Sequence, residues 1–399
     1  MNPNSDFIPF ARPALGKEEE EAVLAVMRSG WLTTGKVARA FEEEFAAFVG
    51  AKRALAVNSA TSGLHLALEA AGVGPGSVVV TSPYTFASTA AVARHLGAEV
   101  RFCDIGAEDY NIDPALLEEI IKTEKNVKAV VPVHIGGNPC DMRALLASTG
   151  RRVSQGSEGF AVIEDAAHSF PSRTREGMAG TLGDIGVYSF YATKTITTGE
   201  GGMVVSNDES LARRMGTMRM HGFDREAWDR YTSPKASWYY EVVEAGYKYN
   251  LPDLLAAIGR VQLAKADRLL AERVAIARRY DEAFGGIDGL VIPPRKADGS
   301  HAWHLYSLRV SGEGEASESA RDSLFAALQE GGIGSSVHFI PLHLMPYWAK
   351  RYSLRPSDCP RAWAAYRASV SLPIWPGMGE AAVGRVIDRV SLWARNRGR

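Results

Sequence analysis

The 399-residue sequence predicts an α/β fold with a mostly parallel sheet flanked by helices, followed by a smaller C-terminal α+β domain. Three observations carry this. Short β-type runs alternate with helical runs through the first 250 residues, the pattern of an open α/β sheet. Several of those runs are apolar on both faces, as strands are when helices cover a parallel sheet on each side. Beyond a long helical stretch near residue 255 the alternation stops, and strands and helices mix. The expected division is a large domain over 1–255 and a linking helix with the small domain over 256–399.

The strand candidates, in order, are "ALAVNS" (54–59), "SVVVTS" (77–82), "AEVRFCD" (98–104), "VKAVVPVH" (127–134) and "FAVIEDA" (160–166). Between them "SGLHLALEAAG" and "STAAVARHLGA" are apolar at helical spacing and close on glycine. Asp113-Pro114 reads as an N-cap followed by proline at the first helical position. Residues 253–284 read as one long helical stretch leading out of the sheet. In the remainder, "HAWHLYSLRV" and "SSVHFIPL" read as strands, "ARDSLFAALQEGG" and the last 20 residues as helices, and 310–320 as a loop.

Composition excludes several classes. The chain carries 45 basic and 46 acidic residues, a formal net charge of −1, so no electrostatic drive toward nucleic acid or an anionic membrane exists. No apolar run approaches the roughly 20 residues of a spanning helix. The polar, acidic start does not read as a signal peptide. Cys103, Cys140 and Cys359, odd in number and widely spaced, fit reduced thiols in a cytoplasmic protein.

Ligands of open α/β sheets bind beyond the carboxyl ends of the strands, so polar residues that follow strands are the candidates. After the first strand, "NSATSGLHLAL" is a hydroxyl-rich turn opening a helix, where free N–H groups and the helix dipole suit a phosphate. Ordinary capping explains that turn equally well, and neither a Walker lysine nor G-x-G-x-x-G accompanies it. After the fifth strand, "EDAAHS" places Asp165 at the strand end and His168 three residues on; such a carboxylate is a helix cap or a buried anion for a cationic ring nitrogen. In "SFYATKTITTGEGGMVV", Lys194 has only hydroxyls, aromatics and glycines close by. Desolvation there favours the neutral amine that forms Schiff bases with aldehydes. A phosphate cradle, a ring-nitrogen carboxylate and a lysine at the ends of one sheet together match the needs of pyridoxal 5'-phosphate.

"NSATSGLHLAL", "TSPYTFASTA", "VIEDAAHS", "SFYATKTITTGEGGM", "GYKYNLPDLLAAIG", "HAWHLYSLRV" and "SLPIWPGM" resemble, in this order, the DegT/DnrJ/EryC1/StrS sugar aminotransferases. The resemblance runs from about residue 8 to near the C-terminus, and "GYKYNLPDL" and "HAWHL" bring it nearest the UDP-4-amino-4-deoxy-L-arabinose aminotransferase branch. It implies the type I fold of pyridoxal-phosphate aminotransferases, with Lys194 as the aldimine lysine that also moves protons, and Asp165 on the pyridine nitrogen. It implies further that His168 contacts the ring near Asp165, that Ala60, Thr61 and Ser189 hold the phosphate, and that Phe86 stacks on the ring. Many members read "GYNYR" where this chain has "GYKYN", and their asparagine reaches the cofactor phosphate of the other subunit. Lys248 stands at that position and Asn250 two residues on, so the resemblance implies a homodimer with composite sites completed by 246–250.

The expected reaction is transfer of an amine from an amino acid, by resemblance L-glutamate, to a nucleotide-linked 4-keto-sugar in ping-pong half-reactions. A 3-keto-sugar is the alternative. A sugar dehydratase of the same fold, typically with histidine for the lysine, is opposed by Lys194, and a non-catalytic binding or regulatory relative by intact Lys194 and Asp165. Other features read more simply. His301 and His304, and His338 and His343, lack the cysteine or acid companions of a metal site and fit the small domain or the sugar pocket. The aromatics of 230–249, Trp238 among them, serve base stacking, core or a dimer contact. The acidic run 17–22 reads as a solvated helix face.

Overall fold

The computed structural model describes residues 6–150, 159–224, 239–296 and 298–397, so Trp238 lies outside the described residues. The chain enters through α1 (Lys17–Ser29) and α2 (Lys36–Val49), then lays down β1 (Arg53–Val57), α3 (Ala60–Ala70), β2 (Val78–Thr81), α4 (Ala87–His95) and β3 (Glu99–Phe102). It continues with α5 (Pro114–Thr123), β4 (Val127–Val131), α6 (Met142–Ser148), β5 (Ala161–Asp165), β6 (Ile185–Ser189), β7 (Gly202–Ser206) and α7 (Glu209–Met218). The seven strands form one sheet in the order β1-β7-β6-β5-β4-β2-β3. Only β7 runs against its neighbours, pairing antiparallel with β1 and β6, while the β6-β5-β4-β2-β3 pairs are parallel. All five strands anticipated from sequence are present.

Alternate strand residues feed two separate cores, which is the period-two consequence of the pleat. Ile163, Val187 and Val204 face α3 and α4. Tyr188, Met203 and Val205 face Phe41 and Phe45 of α2. Gly63 lets α3 lie close to this sheet, since a Cβ there would sit 2.7 Å from Val187 and 2.9 Å from Val204.

The helical stretch 253–284 is two helices, α8 (Asp253–Ala264) and α9 (Ala266–Phe284), breaking at Lys265. Then come β8 (Leu290–Val291), β9 (Tyr306–Val310), α10 (Gly314–Glu330), α11 (Pro346–Tyr352), α12 (Pro360–Ala368), β10 (Ser369–Leu372) and α13 (Glu380–Arg397). The second sheet is antiparallel, β10-β9-β8, and its core joins Tyr280, Trp303, Leu308, Val370 and Val386. Ile8 belongs to that core and bridges Ile333, so the start of the chain packs on its C-terminal part.

Three local expectations are corrected. The stretch 310–320 is not simply a loop: α10 begins at Gly314, because Ser317, Ala320 and Arg321 bury one helical face. "SSVHFIPL" is not a strand; it makes a single bridge, Ser336 to Ser371, and then swings His338 and Phe339 toward a cavity. The acidic run 17–22 is not wholly solvated. Glu19 is buried, and it accepts hydrogen bonds from the Gly16 N–H, Gln262 and Lys265, each at 2.8 Å.

One side chain fixes where β5 ends. The wholly buried Glu164 accepts from the N–H groups of Leu182 and Gly183 at 2.6 Å, and from Gly180 at 2.8 Å. Its fourth donor is His134 Nε2 at 2.9 Å, whose Nδ1 accepts from the Cys140 N–H and so leaves the proton on Nε2. The chain on both sides of Asp165 is thereby tied to one carboxylate. Glu164→Gln turns an amide toward donors, and the expected cost is about 3 kcal/mol of unfolding free energy in urea titration. A stability within error of wild type would show that the four contacts do not hold the strand end.

Candidate active site

A cavity of about 540 Å³ opens where the parallel strands end. Each wall comes from a turn whose sequence stops an element at that level. On one side Ser59 caps α3, its hydroxyl accepting from the Ser62 N–H at 3.1 Å. Ala60 and Thr61 form the first helical turn, whose N–H groups have no partner within the helix. β7 starts beside them, and only glycine fits there, for a Cβ on Gly202 would meet the Ala60 nitrogen at 2.8 Å. Ser189, at the end of β6, adds a hydroxyl to the same wall. This end of the cavity is rich in donors and at the positive end of a helix dipole.

At the floor, Asp165 ends β5. It is 4% exposed; Oδ2 accepts from the Thr89 hydroxyl at 2.7 Å, and Oδ1 from the Ala167 N–H at 3.2 Å. Burial raises its pKa, against these hydrogen bonds and the nearby positive charge of Lys194. Among the described residues the carboxylate has two neutral donors and no ion-pair partner, which leaves it available to a cationic ring nitrogen.

Lys194 follows β6 in a turn closed by its own N–H to the Tyr191 carbonyl at 2.9 Å. Part of the side chain faces the cavity, but Nζ lies deep and 3.3 Å from His304 Nε2. Burial brings the amine down to about 7, despite the opposing pull of Asp165. His168 packs against His304 at 4.3 Å between ring centres and stacks on Phe339 at 5.8 Å. Its Nδ1 accepts from the Gly136 N–H at 3.3 Å, and burial holds the ring well below its ordinary pKa, with the Lys194 charge adding to the effect. Burial likewise keeps His304 well below its usual range and brings His338 to about 4, so both stay neutral beside the amine.

The structure therefore brings Ala60, Thr61, Phe86, Asp165, His168, Ser189 and Lys194 to one cavity. Phe86 stands at the rim, 61% exposed, in the cap position of α4. Lys248 and Asn250 are not among the lining residues. Lys248 is exposed, and the Asn250 amide turns inward to donate to Thr34 Oγ1 at 2.5 Å. A bridge from Asn250 to Val57 draws that residue into the chain's own interior, while Lys248 bridges Met220.

From sequence, His304 and His338 fit the small domain or the sugar pocket; Phe339 has no assigned role, and Phe10 gives no signal beyond an apolar "FIPFARP". All four line the cavity, and Phe10 stacks on His338 at 5.2 Å. His301 instead stacks on Trp303 at 3.8 Å, away from the cavity lining.

Comparison with known proteins agrees with this geometry. Residues 13–391 match the DegT/DnrJ/EryC1/StrS aminotransferase family. The spore coat polysaccharide biosynthesis protein SpsC of Bacillus subtilis is 47% identical over 384 residues, 96% of each chain. Among solved structures, the putative sugar aminotransferase Spr1654 of Streptococcus pneumoniae in its PMP form superposes with a TM-score of 0.89 at 27% identity, covering 98% of this chain and 99% of that one. PseC of Helicobacter pylori, an aminotransferase of pseudoaminic acid biosynthesis, gives 0.87 at 27% identity, covering 98% of this chain and 100% of that one.

The desolvated amine has a thermodynamic consequence. An unfolded lysine titrates near its ordinary value of about 10.4, so between pH 7 and that value the unfolded state holds a proton the folded state lacks. Stability then rises with pH across this window, and the penalty of burying the ammonium is complete at and below pH 7. Cofactor-free Lys194→Met lacks the penalty. It should melt above wild type at pH 7, with the gap closing toward pH 10. A gap independent of pH would show that the amine is hydrated.

Proposed function

This chain belongs to the DegT/DnrJ/EryC1/StrS aminotransferase family, and on that premise we propose that it is a pyridoxal 5'-phosphate-dependent aminotransferase acting on a nucleotide-linked 4-keto-sugar. The observation that carries the reading is the pairing of a desolvated lysine with a buried carboxylate that has no ion-pair partner among the described residues, in one cavity with a donor-rich end. Those three parts fit the cofactor's aldehyde, ring nitrogen and phosphate respectively. When bound, the cofactor supplies the aldehyde carbon for the amine and a ring that takes up carbanion charge.

Lys194 would offer its neutral amine to the aldehyde carbon, and its Nζ, when free, would carry the proton between substrate and cofactor carbons. Asp165 would keep the ring nitrogen protonated. His168, neutral and held by the Gly136 N–H, would contact the ring near Asp165. Ala60, Thr61 and Ser189 would hold the phosphate with backbone and hydroxyl donors, and Phe86 would serve the ring from the rim. Residues 1–255 thus supply the cofactor contacts, while 256–399 add His304, His338 and Phe339 on the sugar side.

An amino acid, L-glutamate in this reading, gives its amine in the first half-reaction and the keto-sugar takes it in the second. Support for a sugar acceptor comes from the sugar aminotransferases among the structural neighbours and from the polysaccharide role named for the Bacillus relative. Lys194 opposes the dehydratase alternative. The test incubates the protein with L-glutamate and a panel of nucleotide keto-sugars and follows ketone-to-amine conversion by mass spectrometry. A 4-keto-sugar should be converted, and Asp165→Asn should slow transfer by about 100-fold or more, since it removes the charge favouring a protonated ring. Asn at full rate would make Asp165 a structural cap, and no conversion of any 4-keto-sugar would sink the proposed acceptor.

The protein acts, in this reading, as a homodimer in which Lys248 of one subunit reaches the cofactor phosphate of the other as a point charge. Lys248 is exposed in the single chain, its Nζ reaching only Met220 Sδ at 3.5 Å among the described residues, while Asn250 is occupied by Thr34. Lys194→Ala should abolish turnover, and Lys248→Ala should weaken cofactor retention. In a mixed dimer one site carries both lesions and the other neither, so activity should partly return. Two impaired homodimers that regain nothing after confirmed subunit exchange would exclude the shared site.

A further inference from the structure

Arg273, on α9, is a cation buried without a carboxylate partner among the described residues. It is 2% exposed, and burial lowers its guanidinium to about 10. Nη1 donates to the carbonyls of Ile374 at 2.8 Å and Trp303 at 3.0 Å, with His304 at 3.5 Å; Nη2 donates to Thr193 at 3.5 Å. Its Nε is buried with no partner among the described residues. The other buried arginines differ: Arg219 is paired with Glu42, and Arg321 with Asp322 and Glu318. An unpaired interior charge costs several kcal/mol, and a guanidinium cannot escape by losing its proton as a lysine does. Ordinary packing gives no reason to keep one here.

The carbonyls it holds supply a reason. Thr193 precedes Lys194, and the ring of His304 meets Lys194 Nζ. One rigid fork therefore ties the turn carrying the amine to the segment carrying its histidine neighbour. The charges near Lys194 are few: Glu200 is on the cavity wall, and two others act on the amine. Asp165, from β5, draws the amine toward its charged form, while Arg273, from α9, opposes this. His168, His304 and His338 approach it from three segments and are held neutral by burial. Arg273 is thus the permanent cation set against Asp165.

We propose that Arg273 is a positioning residue that keeps Lys194 a free amine, its fixed charge acting from a frame built on the Thr193 and His304 carbonyls. The proposal rests on the reading of Lys194 as the cofactor amine, but its test needs neither cofactor nor turnover. In cofactor-free protein, competitive acetylation with acetic anhydride across a pH series, read by mass spectrometry on the Lys194 peptide, gives the amine's titration midpoint. Arg273→Met and Arg273→Gln, both neutral, should raise that midpoint by about one pH unit or more, as loss of a nearby like charge does. The two neutral variants should show the same rise, although Gln can still donate to a carbonyl and Met cannot, because the lost charge sets it. Unmoved midpoints in both neutral variants would overturn the proposal. So would a rise in Arg273→Met alone, which would mean lost hydrogen bonds and disturbed packing rather than lost charge. Removing an unpaired buried charge should not unfold the protein; collapse of both neutral variants would make Arg273 a structural strut and overturn the role equally. Missing sugar amination with the expected midpoints would instead fault the proposed substrate and leave Arg273 standing.

Discussion

Desolvation of two opposite charges at neighbouring strand ends is the constraint on which the rest of the site depends. Asp165 and Lys194 close β5 and follow β6, adjacent parallel strands. In water the two would simply be ions. Here burial works against each charge separately, raising the carboxyl and lowering the amine, while their mutual attraction works the other way. Among the described residues no salt bridge joins the pair: Asp165 accepts from Thr89 and the Ala167 N–H, and His304 lies beside the amine. Each group is thus held by neutral partners at its own strand end.

That arrangement needs strands that stop at fixed levels. Glu164 fixes β5 by gathering donors from 180–183 and from His134. The reversed strand β7 brings Gly201 and Gly202 back to the cavity just where the helix after β1 begins, which a parallel strand in that place would not do. The single antiparallel strand therefore places an anion-friendly helix start beside the turn that carries Lys194.

Residues whose roles follow from local pattern were legible in the sequence. Asp165 stands at the end of an apolar run, Ala60 and Thr61 open a helix after a strand, and Lys194 lacks charged neighbours in the chain. Residues whose roles depend on distant pairing were not. His304 meets Lys194 across 110 positions, and Phe10 reaches the cavity because Ile8 bridges Ile333. Arg273 looks, in "AERVAIARRYDEAF", like any polar residue of an amphipathic helix. Glu19 and the start of α10 misled for the same reason, since a polar run shows its buried members only once the partner surface is known.

Charge accounting then bears on how the site is completed. Among the described residues lining the cavity, the formal charges are Asp165, Lys194 and Glu200, two anions and one cation. The proposed ligands bring a cofactor phosphate, a dicarboxylic donor and a nucleotide diphosphate, all anionic. Lys194 does not neutralise them, since its amine works in the uncharged form. The helix start at Ala60 offsets part of one phosphate with about half an elementary charge. More positive charge must approach from beyond this lining. Arg273 does not supply it, being enclosed by carbonyls and absent from the cavity wall. An exposed lysine outside its own cavity, as Lys248 is, has the sign and the freedom for that purpose in a second copy of the chain. The charge deficit of the isolated cavity and the outward lysine are, on this view, two halves of one requirement.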